Sequence, residues 1–237
     1  MPVSLSMMTE LDFLNFTRGI ASGPVTLDDV DRARDVFKVQ LLLYSLGRMI
    51  GATEMVEIGT MDGSTSVPLL MVAEETGGVV HSVDPSPCEE ARSLIRRCEL
   101  FSHWQFHEML ADDFFRSYPN RIHLAFIDGD HRFQAVTNDA LNVWDRLERG
   151  GFMVFHDWSP CNPADPDPSD PASFGVMRAL RNTHRHLLRG YAMPIMPNAI
   201  GHAIQKPPVT AEGGIFVMQK ALHDHEHKTM VEWGYAR

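Results

Sequence analysis

At 237 residues, 44% apolar and 22% charged, the chain has the length and balance of one large globular domain with its own hydrophobic core. A formal net charge of −10 argues against nucleic acid or an anionic membrane as partner, because phosphate binding needs clustered Lys and Arg. No stretch approaches the roughly 18 unbroken apolar residues of a membrane span, and the opening MPVSLSMMTELDF has no basic region followed by an apolar core, so a cytoplasmic protein is expected.

Residues 7–20 read as a short helix, and TLDDVDRARDVFKVQLLLYSLGRMIG (26–51) as a longer one. Thr26 suits its N-cap, Val30, Ala33, Val36, Phe37, Leu41 and Tyr44 recur at helical spacing, and Gly51 can close it. Its apolar face leaves two placements open, on a sheet or on a second subunit of a homo-oligomer. The pattern then alternates. Strands are predicted at 55–59, 78–84, 104–110, 123–128 and 151–157. Helices fall between them at 64–75, 87–100, 112–119 and 134–149. This rhythm predicts an α/β fold, Rossmann-like and doubly wound, with a mostly parallel sheet covered on both faces.

After Asp157 the rhythm breaks. SPCNPADPDPSDPASFG (159–175) is too rich in Pro, Asp and Ser for a helix or central strand, so residues 158–174 are expected as a loop, either an active-site lid or a surface insertion. A helix at 175–189 follows, carrying the basic stretch RNTHRHLLR, which reads as a solvated face. AIGHAIQ (199–205) and GGIFVMQ (213–219) look like antiparallel strands at the sheet edge. The tail's His223, His225 and His227 read as a solvated terminal segment. Cys88, Cys98 and Cys161 are scattered and form neither a disulfide framework nor a zinc site. The expected organisation is an N-terminal helical segment (1–50), a ligand-binding domain (51–220) and a tail (221–237).

Ligands of an open parallel sheet bind at the carboxyl ends of its strands, so the strand tips carry the functional reading. The first is EIGTMDGST, with Glu57, Gly59, Thr60, Gly63, Ser64 and Thr65. Its glycines allow backbone to approach a ligand at a helix N-terminus. They are spaced four apart, unlike the G-x-G-x-x-G of dinucleotide enzymes, which weighs against a nicotinamide dehydrogenase. Asp84 ends the second strand, where an acid can accept both hydroxyls of a ribose. Asp112 follows the third. The fourth ends in Asp128-Gly129-Asp130-His131, and the fifth in His156-Asp157. A lone acid at any one tip reads equally as a helix cap, and for Asp130 that is the favoured reading. One acid per tip, in order, is the informative feature.

This constellation resembles the class I S-adenosylmethionine (SAM)-dependent methyltransferases over residues 50–220. In that superfamily the first glycine turn cradles the methionine part of SAM and the acid after the second strand holds the ribose. FIDGDH together with GGFMVFHDW further resembles a bacterial metal-dependent subgroup that includes macrolide-sugar O-methyltransferases and cephalosporin-hydroxylase-type proteins. The resemblance implies SAM bound by Glu57, Gly59, Thr60, Gly63, Ser64, Thr65, Asp84, Asp112 and Asp128. It also implies a divalent cation, usually magnesium, on Asp128, His156 and Asp157, with His131 as general base. His156 departs from the subgroup, which has an acid there. Imidazole suits manganese or another transition metal better than magnesium. The implied reaction is methyl transfer to the hydroxyl of a small polyhydroxylated or natural-product acceptor. An oxygenase-associated protein and a non-catalytic SAM-binding subunit are the alternatives, but a pure binder has no need of Asp128, His131 and Asp157.

Overall fold

A computed structural model describes residues 27–157, 175–176, 179–180, 190–195 and 215–222. The chain runs α1 (Leu27–Ile50), β1 (Glu54–Ile58), α2 (Ser66–Thr76), β2 (Val79–Asp84), α3 (Glu89–Arg97), β3 (Trp104–Glu108), α4 (Ala111–Ser117), β4 (Ile122–Ile127), α5 (Phe133–Arg146), β5 (Leu147–Phe155), β6 (Gly190–Ile195) and β7 (Ile215–Lys220). The strands form one seven-stranded sheet in the order β3-β2-β1-β4-β5-β7-β6. Neighbours from β3 through β5 pair in parallel, and β7 runs antiparallel to both β5 and β6. Strand order reverses beside β1, so the crevice for a ligand opens at the tips of β1 and β4.

The central strands are apolar on both faces because helices cover both. Met55, Leu124, Phe126 and Val154 pack on one side with Leu69, Leu70 and Val72 of α2. Val56, Ala125, Ile127 and Phe155 pack on the other with Val136, Ala140 and Val143 of α5. Of the two placements open to α1, the described part takes the sheet: Val39 and Leu43 are buried in the first cluster, and Tyr44 donates to Glu75 Oε1 of α2 at 2.8 Å. Leu41 and Met49 remain exposed on its outer side.

The alternating plan and the reversed strand near the C-terminal edge match expectation. Two details differ. Helix α5 stops at Arg146, and β5 begins at Leu147, four residues before the expected strand. Leu147 pairs with Ile122 and is buried, so sheet pairing overrides the helical preference of Leu-Glu-Arg. The outermost strand is β6, a segment not read as a strand. It carries Pro194, which a sheet tolerates at its edge, where a missing N–H breaks no ladder on the open side. Val176, Ala179 and Leu180 are helical and buried, at the expected start of the 175–189 helix. The 7–20 helix, the Thr26 cap, the 158–174 loop, the basic stretch 181–189, the 199–205 strand and the His223–His227 tail lie outside the described residues.

Candidate active site

The turn after β1 is locked from below. Gly59 N–H donates to Val83 O at 2.9 Å, and Asp128 N–H donates to Ile58 O at 2.8 Å, so the β1, β2 and β4 tips are tied together. Gly59 has φ +86°, and a Cβ there would stand 2.2 Å from the Asp128 carbonyl oxygen. Gly63 has φ +82°, and a Cβ there would meet Ala91 of α3 at 2.8 Å. Both glycines are therefore demanded by backbone conformation and by close packing of protein on protein. For Gly63 this differs from the expectation: its open side faces α3, not the cavity.

Glu57 also departs from its expected place. It is fully buried and does not line the cavity. Its carboxylate accepts from Thr65 Oγ1 (2.7 Å), Ser66 Oγ (2.5 Å) and Ser82 Oγ (2.6 Å), and Ser82 Oγ accepts from Trp104 Nε1 at 2.8 Å. Burial pushes its pKa up to about 7, against the pull of the three hydroxyls. Glu57 thus braces the turn and the start of α2 from beneath. Thr60, Ser64 and Thr65 do line the cavity, and the buried Thr60 Oγ1 has no hydrogen-bond partner among the described residues.

Asp84 stands at the β2 tip as expected and lines the cavity. Oδ2 accepts from Thr60 N–H at 2.9 Å, and Oδ1 accepts from Ser86 N–H at 2.8 Å. Partial burial opposes its charge, but these backbone donors win and hold the pKa below the usual carboxylate range. Each carboxylate oxygen can accept more than one hydrogen bond, so capacity remains for a diol. Asp112 also lines the cavity and accepts from Asn142 Nδ2 at 3.2 Å.

The β4 and β5 tips bring the remaining residues together. Asp128, His131 and Asp157 each offer a ligand atom, all within 4.8 Å of one another. His131 Nε2 lies 3.3 Å from Asp128 Oδ1 and 3.6 Å from Asp157 Oδ2. His156 Nδ1 lies 3.4 Å from Asp128 Oδ1 and 3.4 Å from Asp157 Oδ1, and it is buried with neither oxygen aligned as an acceptor. Burial alone would lower the His156 pKa, but the two carboxylates push it up to about 10. The same carboxylates raise that of His131, its contact with Asp128 foremost. Asp157 takes a left-handed backbone (φ 55°), a conformation that Asp tolerates better than most residues. Asp130 bonds the N–H and guanidinium of Arg132, which fits its reading as a local turn former. Two carboxylates and an imidazole at this spacing suit a divalent cation, which takes such donors at about 2.0–2.2 Å. The converging set includes His131, whereas the residue expected beside Asp128 and Asp157 was His156.

Thr60, Ser64, Thr65, Asp84, Asp112 and the residues of the β4 and β5 tips share one cavity of about 1210 Å³, with Met61 and Leu110 exposed at its surface. Residues on α5 also line it, notably Gln134, Asn138 and Asp139. Asp139 was missed, although a signal existed. It falls in the stripe Val136, Asp139, Ala140, Val143, where helical spacing calls for apolar residues, and it is buried there.

A methyltransferase-domain family model matches residues 56–158, the stretch from β1 to just past the β5 tip. The O-methyltransferase of Bacillus cereus in complex with S-adenosylhomocysteine (SAH) is 20% identical, with a TM-score of 0.62 over 92% of this chain and 94% of that one. The O-methyltransferase TomG of Streptomyces achromogenes, involved in tomaymycin synthesis and solved with SAM, is 17% identical, with a TM-score of 0.61 over 91% of this chain and 100% of that one. Likeness at this identity speaks to fold. An uncharacterised protein of Acanthamoeba polyphaga mimivirus is 45% identical over 47 residues, and that match spans 18% of this chain and 21% of the relative's length. The match to a methyltransferase-domain model thus covers the strand tips that build the cavity, on a sheet whose fold is similar to that of SAM- and SAH-bound O-methyltransferases.

Proposed function

We propose that the protein is a metal-assisted O-methyltransferase acting on a hydroxyl of a small, polyhydroxylated acceptor of the natural-product kind. The observation that carries this is the convergence of Asp128, His131 and Asp157 at one side of the cavity that Asp84 and the β1 turn also line. A binding module has no use for two carboxylates and an imidazole held there. When bound, SAM supplies a methyl group on a sulfonium leaving group, and a divalent cation supplies charge that acidifies the acceptor hydroxyl.

The residues then divide the work. Asp84 and the β1 turn bind the ribose and methionine ends. Asp128 and Asp157 hold the cation, and His156 is a further donor for it. With SAM and acceptor bound, His131 would accept the hydroxyl proton at Nε2 as the acceptor oxygen takes the methyl group. The TomG comparison supports a natural-product acceptor, and the net charge of −10 supports a small molecule over nucleic acid. Among the described residues no helix is long and apolar enough to cross a membrane, which accords with a cytoplasmic enzyme.

Because His131 Nε2 is within reach of both carboxylates, proton acceptor and third metal donor are rival roles for it. Labelled-methyl transfer to an acceptor panel, with metal content measured on the same samples, tests both the reaction and the role. Chelation should abolish transfer and leave SAH binding largely intact; full activity after exhaustive chelation refutes metal assistance. His131→Ala should lower kcat by about 10²–10⁴-fold with metal content retained. Loss of the metal instead makes His131 a ligand.

A further inference from the structure

We infer that Gln40 of α1 is a positioning residue for the cofactor: its amide holds the Ser64 carbonyl of the turn after β1, which Pro68 leaves without a helical donor. The starting observation is a gap in the backbone pairing. Val67 N–H donates to Gly63 O at 3.2 Å, so the helical pattern of bonds four residues apart begins before α2 itself. The next carbonyl is that of Ser64, and the residue four positions on is Pro68, which has no N–H. A proline ring also crowds the carbonyl four residues back. No backbone N–H of the described residues reaches Ser64 O. Gln40 Nε2 donates to it instead, from twenty-four positions earlier in the chain.

The amide is used by one half only. Gln40 is 5% exposed, and its Oε1 is buried with no hydrogen-bond partner among the described residues. An unpaired buried acceptor is destabilising, whereas an apolar side chain of similar size would avoid that loss and leave Ser64 O bare. The donor is therefore what this position supplies. The seat of α1 is set independently of it. Tyr44 donates to Glu75 Oε1, and Gly47 lets the helix come so close to α2 that a Cβ there would meet Val72 Cγ2 at 3.0 Å. With α1 fixed in this way, Val39 lines the cavity and Gln40, the next residue, grips the turn. Ser64 and Thr65 line the same cavity, and Thr65 Oγ1 donates to Glu57 Oε1 beneath them. The cofactor turn is thus held from below by a carboxylate and from the α1 side by an amide. The second hold lies outside the family-model match, which begins at residue 56.

This inference rests on the SAM-binding reading, and a double-mutant cycle separates the two. SAH is titrated calorimetrically into wild type, Gln40→Met, Pro68→Ala and the double variant, with urea unfolding of the same four proteins. Gln40→Met fills the site without a donor and should bind SAH about three- to tenfold more weakly, the scale of one neutral hydrogen bond. Pro68→Ala gives Ser64 O a backbone N–H and should bind SAH within about twofold of wild type. In the double variant that N–H replaces the amide, so affinity should return to within about twofold of Pro68→Ala alone. Gln40→Leu carries the same cycle if the methionine variant does not fold. A folded Gln40 variant that is less stable yet binds SAH as wild type does makes Gln40 a packing residue and overturns the role. A double variant as weak as Gln40→Met overturns the part given to Pro68. Wild type that does not bind SAH at all overturns the cofactor reading, and the positioning role falls with it.

Discussion

Glu57 offers the most demanding check on the site. As a cofactor ligand, its loss would cost affinity; as a buried brace, its loss costs stability. Three hydroxyls donate to its carboxylate at 2.5–2.7 Å, all from residues that shape the turn or its support. Glu57→Ala strands these buried hydroxyls and opens a small cavity, so about 3–5 kcal/mol of folding free energy should go. Glu57→Gln is milder. Its amide oxygen can serve Ser66 and Ser82 while its NH₂ donates to Thr65, since a hydroxyl accepts as well as donates. The pH dependence sharpens the test. The folded-state pKa of about 7 lies above the unfolded value of 4.5, so the folded protein holds the proton more tightly. Wild type therefore bears no ionisation penalty below about pH 4.5, accrues one between pH 4.5 and 7, and bears it in full above pH 7. The gap of about 2.5 units corresponds to a penalty on the order of 3 kcal/mol, which Glu57→Gln does not pay. Urea unfolding of wild type and Glu57→Gln at pH 5 and pH 8 should show the variant gaining relative to wild type at the higher pH. SAH affinity of the glutamine variant should stay within about threefold. A pH-independent difference in stability refutes the buried-carboxyl argument, and a tenfold affinity loss at unchanged stability restores Glu57 as a ligand.

Asp84→Ala should weaken SAH binding by about 1.5–3 kcal/mol through the lost ribose contact, and it also releases the Thr60 and Ser86 N–H groups. Undiminished affinity by calorimetry would sink the ribose assignment. On the opposite half of β2, burial lowers the pKa of His81, whose ring nitrogens contact His107 Nε2 at 3.0 Å and Glu54 Oε1 at 3.1 Å. His107 is lowered too, by burial and by His81. For groups with depressed basicity in the fold, stability is present above the unfolded imidazole pKa near 6.5 and falls as pH drops below it. Because Glu57 acts in the reverse sense over part of this range, the observable is a difference: His81→Gln should lose less stability than wild type between pH 7.5 and 5.5. Equal slopes in urea titrations would show that the histidine pair carries no such linkage.

The alternation of apolar runs with helical stripes determined the α/β plan, because strand and helix periods are local properties of the chain. The same runs pointed to the cavity edge: Asp84, Asp128 and Asp157 each stand at the end of an apolar strand, and parallel pairing brings such tips to one edge whatever the details. Tertiary structure decided which way each residue of those tips faces. Glu57 and Gly63 sit in the same motif as Thr60, Ser64 and Thr65, yet the first faces three hydroxyls in the core and the second faces Ala91, because the turn is folded over α3 and the β2 strand. His131 and His156 are equivalent by type and strand-tip position, but only with β4 and β5 in register does His131 join Asp128 and Asp157 while His156 lies buried beside them. Asp139 was visible only as a polar residue out of place on an apolar face. Its raised pKa depends on burial and on Asp112, twenty-seven positions earlier in the chain, meeting α5 across the cavity, a long-range contact that no local period encodes.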